Sequence, residues 1–329
     1  QPGLDFGPRV TFHVEAGPAA GTWWEQTALP RAVKGLGADV LFSPGYTAPL
    51  RTGCPVVLAV HDVSFFAHPE WFSWREGLRR RWLTRWSARR AAAVVTISNF
   101  SAGEIRRYLG VAASRVVLAP PGVPTVAGGV TAPESGEGGP PAAPPVPPPV
   151  RQPIVLYVGS IFERRRIPDL LLAFSRVLTR VPGARLVLVG ESRTRPPYDP
   201  MAGAMALGIG GAVTWRRYVA DAELDALYDQ ASVFAFLSEY EGFAMTPAEA
   251  LARGAAPVLL DTPVAREVYG EGARLVPPNP VAIADAMTLL LTDPAARHAV
   301  VGAGQRRLER YSWAASAAAV RQALETAAG

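Results

Sequence analysis

Short apolar runs of strand length, each followed by a longer run of helical character, recur along this chain, and that alternation leaves few folds open. ADVLFSPG, PVVLAVHD, AAVVTIS and RVVLAPPGV supply such runs before residue 124, and IVLYVGS, ARLVLVGE, VFAFLS and APVLLDT supply them after residue 150. Strands separated by helices at this interval pair in parallel, which predicts doubly wound α/β sheets. RVTFHV at 9–14 alternates like a first strand, and a helix is expected over about 23–36. The pattern breaks once. Eight prolines fall between Thr131 and Pro149, and proline removes both ladder and helix hydrogen bonds, so 124–150 reads as an extended or disordered linker. The expected organisation is a first domain over 1–123, the linker, a second domain over 151–310 and an Ala-rich terminal helix over 311–329. With 329 residues, 49% of them hydrophobic, the chain can fill two cores.

Residues 233–254, VFAFLSEYEGFAMTPAEALARG, are the most informative stretch. A strand leads into a loop with Glu241 and Gly242, and a helix follows with Glu249. Thr246, Pro247 and Glu249 read as a capping box, with Thr at N-cap, Pro at the first helical position and Glu at N3. The amides of such a helix start face the loop, where an anion is best held, and ligands of open α/β sheets bind at the carboxyl ends of strands. Two readings of the carboxylates stay open on spacing alone. Glu249 is fully explained as a cap of its own helix and Glu241 as a solvated loop carboxylate; alternatively both face a ligand.

The wording of the stretch is more specific than its spacing. SEYEGFAMTPAEALARGAAPV resembles the Glu-x7-Glu signature of the retaining glycosyltransferases of family 4. The resemblance implies the GT-B fold, two Rossmann-like parallel-sheet domains facing each other across a cleft, with the terminal helix packing back on the first domain. It implies a nucleotide-sugar donor, with Glu241 at the sugar, Glu249 on the ribose hydroxyls, and the amides of Gly242, Phe243 and Ala244 along sugar and diphosphate. The family usually has Gly where this chain has Ala244, which is costly if the local φ is positive. ADVLFSPG, VVLAVHDVSF, TISNFSAGEI and RVVLAPPGV resemble consecutive segments of the acceptor-side domain. The strand and Gly-rich loop with which the family begins are absent before RVTFHV, so the start is expected to be incomplete and turnover impaired.

VGSIFERRR extends the likeness. Arg164, Arg165 and Arg166 follow a strand, in what reads as a helix's first turn, where cations are unfavourable unless something compensates; a diphosphate would, and guanidinium groups suit it by their bidentate geometry. The other reading is a solvated cluster. By resemblance the family's Arg-Lys pair falls on Arg164 and Arg165, with Ser160 at a further donor-binding position. RYVADAEL resembles the loop whose main chain reads the base, which places Tyr218 and Val219 there; a plain turn with Asp221 capping the next helix fits equally. His61, at the end of VVLAV, is a sugar or acceptor contact by resemblance, or a side chain satisfied beside a turn started by Asp62.

These residues together imply a retaining hexosyltransferase, with Glu241, His61 and Arg165 as the catalytic set and a glycan or lipid-linked acceptor. The alternative is a catalytically weak nucleotide-sugar-binding protein of the same fold. Neither a nucleophile elbow nor an Asp-x-Asp pair is present, so a serine triad is not indicated and no metal or other cofactor is expected. Retention then proceeds by same-face substitution, or by double displacement with Glu241 as the only candidate nucleophile.

Composition excludes other classes. One cysteine, Cys54, permits no internal disulfide and fits a reducing, cytoplasmic setting, and four scattered histidines make a zinc site improbable. The net charge of +5 comes with one lysine, Lys34, against 32 arginines, a compositional drift that gives little reason to expect a nucleic-acid partner. No signal peptide or membrane-spanning run is read. Residues 71–90 hold seven arginines and four tryptophans. Such a helix could lie on anionic lipid at the inner face of a membrane; a domain helix with Trp inward and Arg solvated accounts for most of its length.

Overall fold

The computed structural model describes residues 10–14, 21–123 and 151–329. They fall into two compact units. The first comprises the described residues up to Thr96, Ala102–Leu118 and Ala318–Gly329, and the second comprises Ile97–Ser101 with the described part of Ala119–Ala317. The Pro-rich linker expected at 124–150 lies outside the described residues.

The first unit runs α1 (Thr22–Gly35), β1 (Leu41–Ser43), β2 (Val56–Ala59), α2 (Ser64–Ala67), α3 (Trp74–Arg90), β3 (Ala93–Thr96), α4 (Asn99–Leu109) and β4 (Val116–Leu118). Its four strands are parallel, in the order β1-β2-β3-β4. Leu58, Val60, Val94, Ile105 and Leu109 form the centre of its core. Two expectations fail here. Residues 10–14 form no strand, because alternation makes a strand only where a neighbour supplies ladder hydrogen bonds, and β1 at the sheet edge pairs only with β2 among the described residues. The segment 71–90 is not one helix with its tryptophans inward. A 3-10 turn, Pro69–Trp71, precedes α3, and α3 buries Gly77, Leu83, Thr84, Ser87 and Ala88. Ser87 Oγ accepts from the Ala48 amide at 3.1 Å and lies 3.2 Å from the Ala48 carbonyl, to which it donates. Small residues on that face bring the helix too close to the loop for an indole to fit between, so the tryptophans point out.

The second unit continues with β5 (Gln152–Val158), α5 (Ile167–Arg180), β6 (Arg185–Val189), α6 (Pro200–Ala206), β7 (Val213–Arg216), α7 (Asp221–Gln230), β8 (Ala231–Phe236), α8 (Met245–Ala252), β9 (Ala256–Leu260), α9 (Pro263–Val268), β10 (Arg274–Val276), α10 (Pro280–Thr292) and α11 (Pro294–Leu308); the last helix, α12 (Trp313–Ala328), begins in this unit and belongs to the first from Ala318 on. All six strands are parallel, in the order β10-β9-β8-β5-β6-β7. β8 and β9 are buried along their whole length, as their unbroken apolar sequences require. The chain lays β6 and β7 on one side of β5, then returns to lay β8 on the other. That reversal opens a crevice outside the carboxyl ends of β5 and β8, which is where open α/β sheets hold ligands.

Candidate active site

The loops that leave β5 and β8 at this reversal carry the charged residues singled out in the sequence. β5 ends in Gly159 at φ 143°, and β6 ends in Gly190 at φ 139°. A Cβ on Gly190 would stand 2.0 Å from the Gly159 carbonyl oxygen, so only glycine lets the two strand ends approach this closely. Beyond them Ser160 has its carbonyl held by the Tyr157 hydroxyl at 3.1 Å. A 3-10 turn, Glu163–Arg165, follows, and Arg166 at φ 51° precedes α5. The three arginines therefore stand before the helix rather than in its first turn, a correction to the sequence reading. Arg166, next to the helix start, has its own compensation: its Nε donates to Asp169 at 2.6 Å and its Nη1 to Glu239 at 2.5 Å.

Arg165 is the central residue. Its side chain is only 11% exposed, with Nη2 3.0 Å from Glu241 Oε1. Its guanidinium carbon lies 4.1 Å from the ring centre of Phe236, the last residue of β8. Nε and Nη1 are buried, with no hydrogen-bond partner among the described residues. Burial pulls the Arg165 pKa below its ordinary value, and Glu241 opposes that pull. A guanidinium with two buried, unsatisfied donors is a costly arrangement that an anion would complete. Arg164 stands beside it, Nε 3.8 Å from the same Glu241 oxygen.

Glu241 also accepts from Ser238 Oγ at 2.5 Å. It is held rather than solvated. The next residues, Gly242, Phe243 and Ala244, lead directly into α8, and their amides meet no acceptor among the described residues. Phe243 is buried edge-on against Tyr311, with ring centres 4.9 Å apart. Ala244 adopts φ 69°, ψ 81°, the left-handed region that costs a residue with a Cβ about 1 kcal/mol. The hydroxyl of fully buried Tyr269 donates to the Ala244 carbonyl and fixes it in place. Glu241 and Ala244 border, with Phe236, Thr262 and Tyr269, a small recess.

The capping box is not formed. α8 begins at Met245, with Ala244 at N-cap and no side-chain cap, so Thr246 and Pro247 lie inside the first turn. The Thr246 hydroxyl is buried without a partner among the described residues. Glu249 does not reach back to the helix start; its Oε2 accepts from the Tyr228 hydroxyl of α7 at 2.9 Å. Burial, with Glu249 beside it, holds that tyrosine protonated far above its usual range.

The remaining sequence candidates lie on other elements. Tyr218 is 82% exposed, and Val219 is buried in the core. Both lie beyond β7, the edge strand two places from β5. Asp221 is not a cap, because Ala220 holds the N-cap position of α7. His61 belongs to the first unit, where Nε2 lies 3.2 Å from the Pro44 carbonyl and the ring meets Tyr46 edge-on at 5.7 Å. Asp62 accepts from the Ser64 amide and the Tyr46 hydroxyl, both at 2.8 Å, which bears out the turn reading of Asp62. Ser238, Tyr228, Phe236 and Tyr269 were not singled out in the sequence. Phe236 had a positional signal as the last residue of an apolar strand; the other three had none.

Comparisons with known proteins give the same picture. The HepE protein of Anabaena, solved in complex with UDP and glucose, superposes with a TM-score of 0.68 at 17% identity, covering 95% of this chain and 85% of that one. Sucrose-phosphate synthase from Thermosynechococcus elongatus gives 0.69 at 19% identity, covering 98% and 86%. Two parallel-sheet Rossmann-like units with these neighbours define an α/β protein of the GT-B fold. The family model for glycosyl transferases group 1 matches residues 143–307, and that for glycosyltransferase family 4 matches 5–126. The chain belongs to the group 1 glycosyl transferases, family 4 type, and is a glycosyltransferase enzyme. O-antigen chain mannosyltransferase B of Escherichia coli is 26% identical over 83% of this chain and 71% of its own length. Phosphatidyl-myo-inositol mannosyltransferase of Mycobacterium tuberculosis is 30% identical over 53% of this chain, a match spanning 47% of that relative.

Proposed function

We propose that this enzyme transfers a hexose, with retention and without a metal ion, from a nucleoside-diphosphate sugar to a glycan or lipid-linked acceptor. One observation carries the reading: the buried Arg165 guanidinium, with two unsatisfied donors, beside Glu241 at the reversal of a parallel sheet. When the bond to the anomeric carbon breaks, negative charge grows on the departing diphosphate. Fixed donors aimed at that charge are usually the largest catalytic contribution. Arg165 and Arg164 meet it from one loop, and the free amides of 242–244 meet it from the other. Positive charge from two guanidinium groups takes the part that a divalent ion has in other transferases, so a chelator should leave the rate unchanged.

Glu249 receives the ribose hydroxyls on the carboxylate that Tyr228 already orients. Glu241 is engaged by Arg165 and Ser238, which makes it a poor nucleophile and favours same-face substitution, the leaving phosphate taking the acceptor's proton. Relatives named as mannosyltransferases make mannose the first sugar to try. One relative is named for GDP-mannose as its donor, and a structural neighbour was solved with UDP, so both bases belong in the test.

The test is nucleotide release from GDP-mannose and UDP-glucose, with and without a polyprenyl-diphosphate glycan acceptor, with the anomeric configuration of the product read by NMR. Acceptor-dependent release and a retained anomer are expected. Tight nucleotide binding without acceptor-dependent release would instead favour the alternative, a nucleotide-sugar-binding protein with little turnover. A glycosyl adduct trapped on Glu241 would replace same-face substitution with double displacement.

A further inference from the structure

The outward face of α3 is unlike the rest of the first unit's surface. Trp74, Leu78, Trp82 and Trp86 recur every fourth residue, and they are 70%, 56%, 52% and 39% exposed. Along a helix this makes a stripe about 18 Å long. Large apolar side chains in such a row have a use outside the core. Trp23 of α1 is also 65% exposed, and α1 begins beside α3, where Arg79 Nη1 donates to Thr22 Oγ1 at 2.5 Å.

Arginines interleave with the stripe. Glu76 is the only acidic residue among 71–90, and it pairs with Arg80 at 2.7 Å. Among the described residues Arg75, Arg79, Arg81, Arg85, Arg89 and Arg90 face no carboxylate within ion-pair distance. Arg81, Arg85 and Arg89 donate instead to the carbonyls of Phe65, Tyr108 and Leu109, which orients them without neutralising their charge. The guanidinium groups of Arg75 and Arg90 lie 5.2 and 5.3 Å from the ring centres of Trp74 and Trp86. Ring and charge therefore sit at one level on the helix.

We propose that this face of α3 is a docking surface for an anionic lipid bilayer. An indole prefers the headgroup boundary, where its apolar body is buried and its N–H stays wet, and a guanidinium at that depth meets lipid phosphate. A groove on another protein would have to bury these arginines against matching carboxylates; a sheet of phosphates meets them all at once. The helix lies on the membrane rather than crossing it, since no helix among the described residues is long and apolar enough to span one. The surface needs no particular donor or acceptor and stands apart from the reading of the active site.

Co-sedimentation of the full chain with phosphatidylcholine vesicles containing about one-third phosphatidylglycerol, against phosphatidylcholine alone, tests the proposal. The chain should pellet with the anionic vesicles at low salt, with a blue shift of its tryptophan emission, and binding should weaken at least about tenfold in roughly 0.5 M salt. Trp82→Ser with Trp86→Ser should lower binding about tenfold or more at an unchanged thermal midpoint. Arg75→Gln and Arg90→Gln should each lower it about fivefold. Three results overturn the proposal. They are no pelleting of the wild type at low salt, equal pelleting of the tryptophan variant, and a wild-type dimer that the same variant converts to monomer, which would give the face to a second copy of the chain.

Discussion

The second unit contains the same dipeptide twice at a helix start, and the two behave differently. At Thr262-Pro263 the threonine is the N-cap and its hydroxyl accepts from the Ala265 amide at 3.2 Å, with proline at the first helical position. At Thr246-Pro247 the helix begins earlier, on Ala244 at φ 69°, and the threonine hydroxyl is buried without a partner among the described residues. Both threonines follow strands of one parallel sheet. The difference is what the preceding loop must do. Before α9 the loop leaves its threonine free to cap the helix. Before α8 it must carry Glu241 to Arg165 and leave the amides of 242–244 unoccupied, and the turn that does so starts the helix from Ala244, two residues ahead of the threonine. Local preference gives way where a ligand is to be held.

Substitutions can break or sharpen this contrast. The largest effect belongs to the loop before α8. Glu241→Ala should cut the transfer rate about a hundredfold to a thousandfold, because Arg165 then loses the carboxylate that aligns it; sugar-transfer assays with purified protein read this directly. Thr262→Ala should lower stability by about 1 kcal/mol, the ordinary cost of a lost cap, as followed by urea unfolding. Ala244→Gly should raise stability by about 0.5–1 kcal/mol, since glycine adopts positive φ without penalty. A destabilised glycine variant would mean that the Tyr269 hydrogen bond and local packing outweigh the strain. The smallest effect is expected from Thr246→Val. Removing an unsatisfied hydroxyl should leave free-protein stability within about 0.5 kcal/mol, yet lower nucleotide affinity if that hydroxyl serves the ligand. A loss equal to that of Thr262→Ala would erase the distinction between the two starts.

Much of this was legible in the sequence. Unbroken apolar runs such as VFAFLS and APVLLDT could only be doubly covered parallel strands, and they became β8 and β9. Glu241 and Arg165 were named through the resemblance of SEYEGFAMTPAEALARG and VGSIFERRR to a known family, since position alone left a solvated reading open for each. Thr246 and Glu249 were misread as a capping box because propensity counts only local partners, and the actual partner of Glu249, Tyr228, lies 21 residues earlier on another helix. Tyr269 was invisible for the same reason: its hydroxyl serves the Ala244 carbonyl, 25 residues away. The tryptophans of α3 were turned the wrong way because indole size argues for burial until Gly77, Ser87 and Ala88 are seen to take the inner face. RVTFHV alternated like a strand, yet residues 10–14 join no ladder among the described residues.

Calorimetric titration of GDP and UDP into the wild type and into Arg165→Met puts the account to its most direct test. Methionine keeps the bulk over Phe236 and removes the unsatisfied donors, so the variant should fold with an unchanged or higher thermal midpoint and bind the preferred nucleotide about a hundredfold more weakly, or not at all. Equal affinity in a folded variant would show that the diphosphate does not rest on Arg165, and the site drawn around that residue would be wrong.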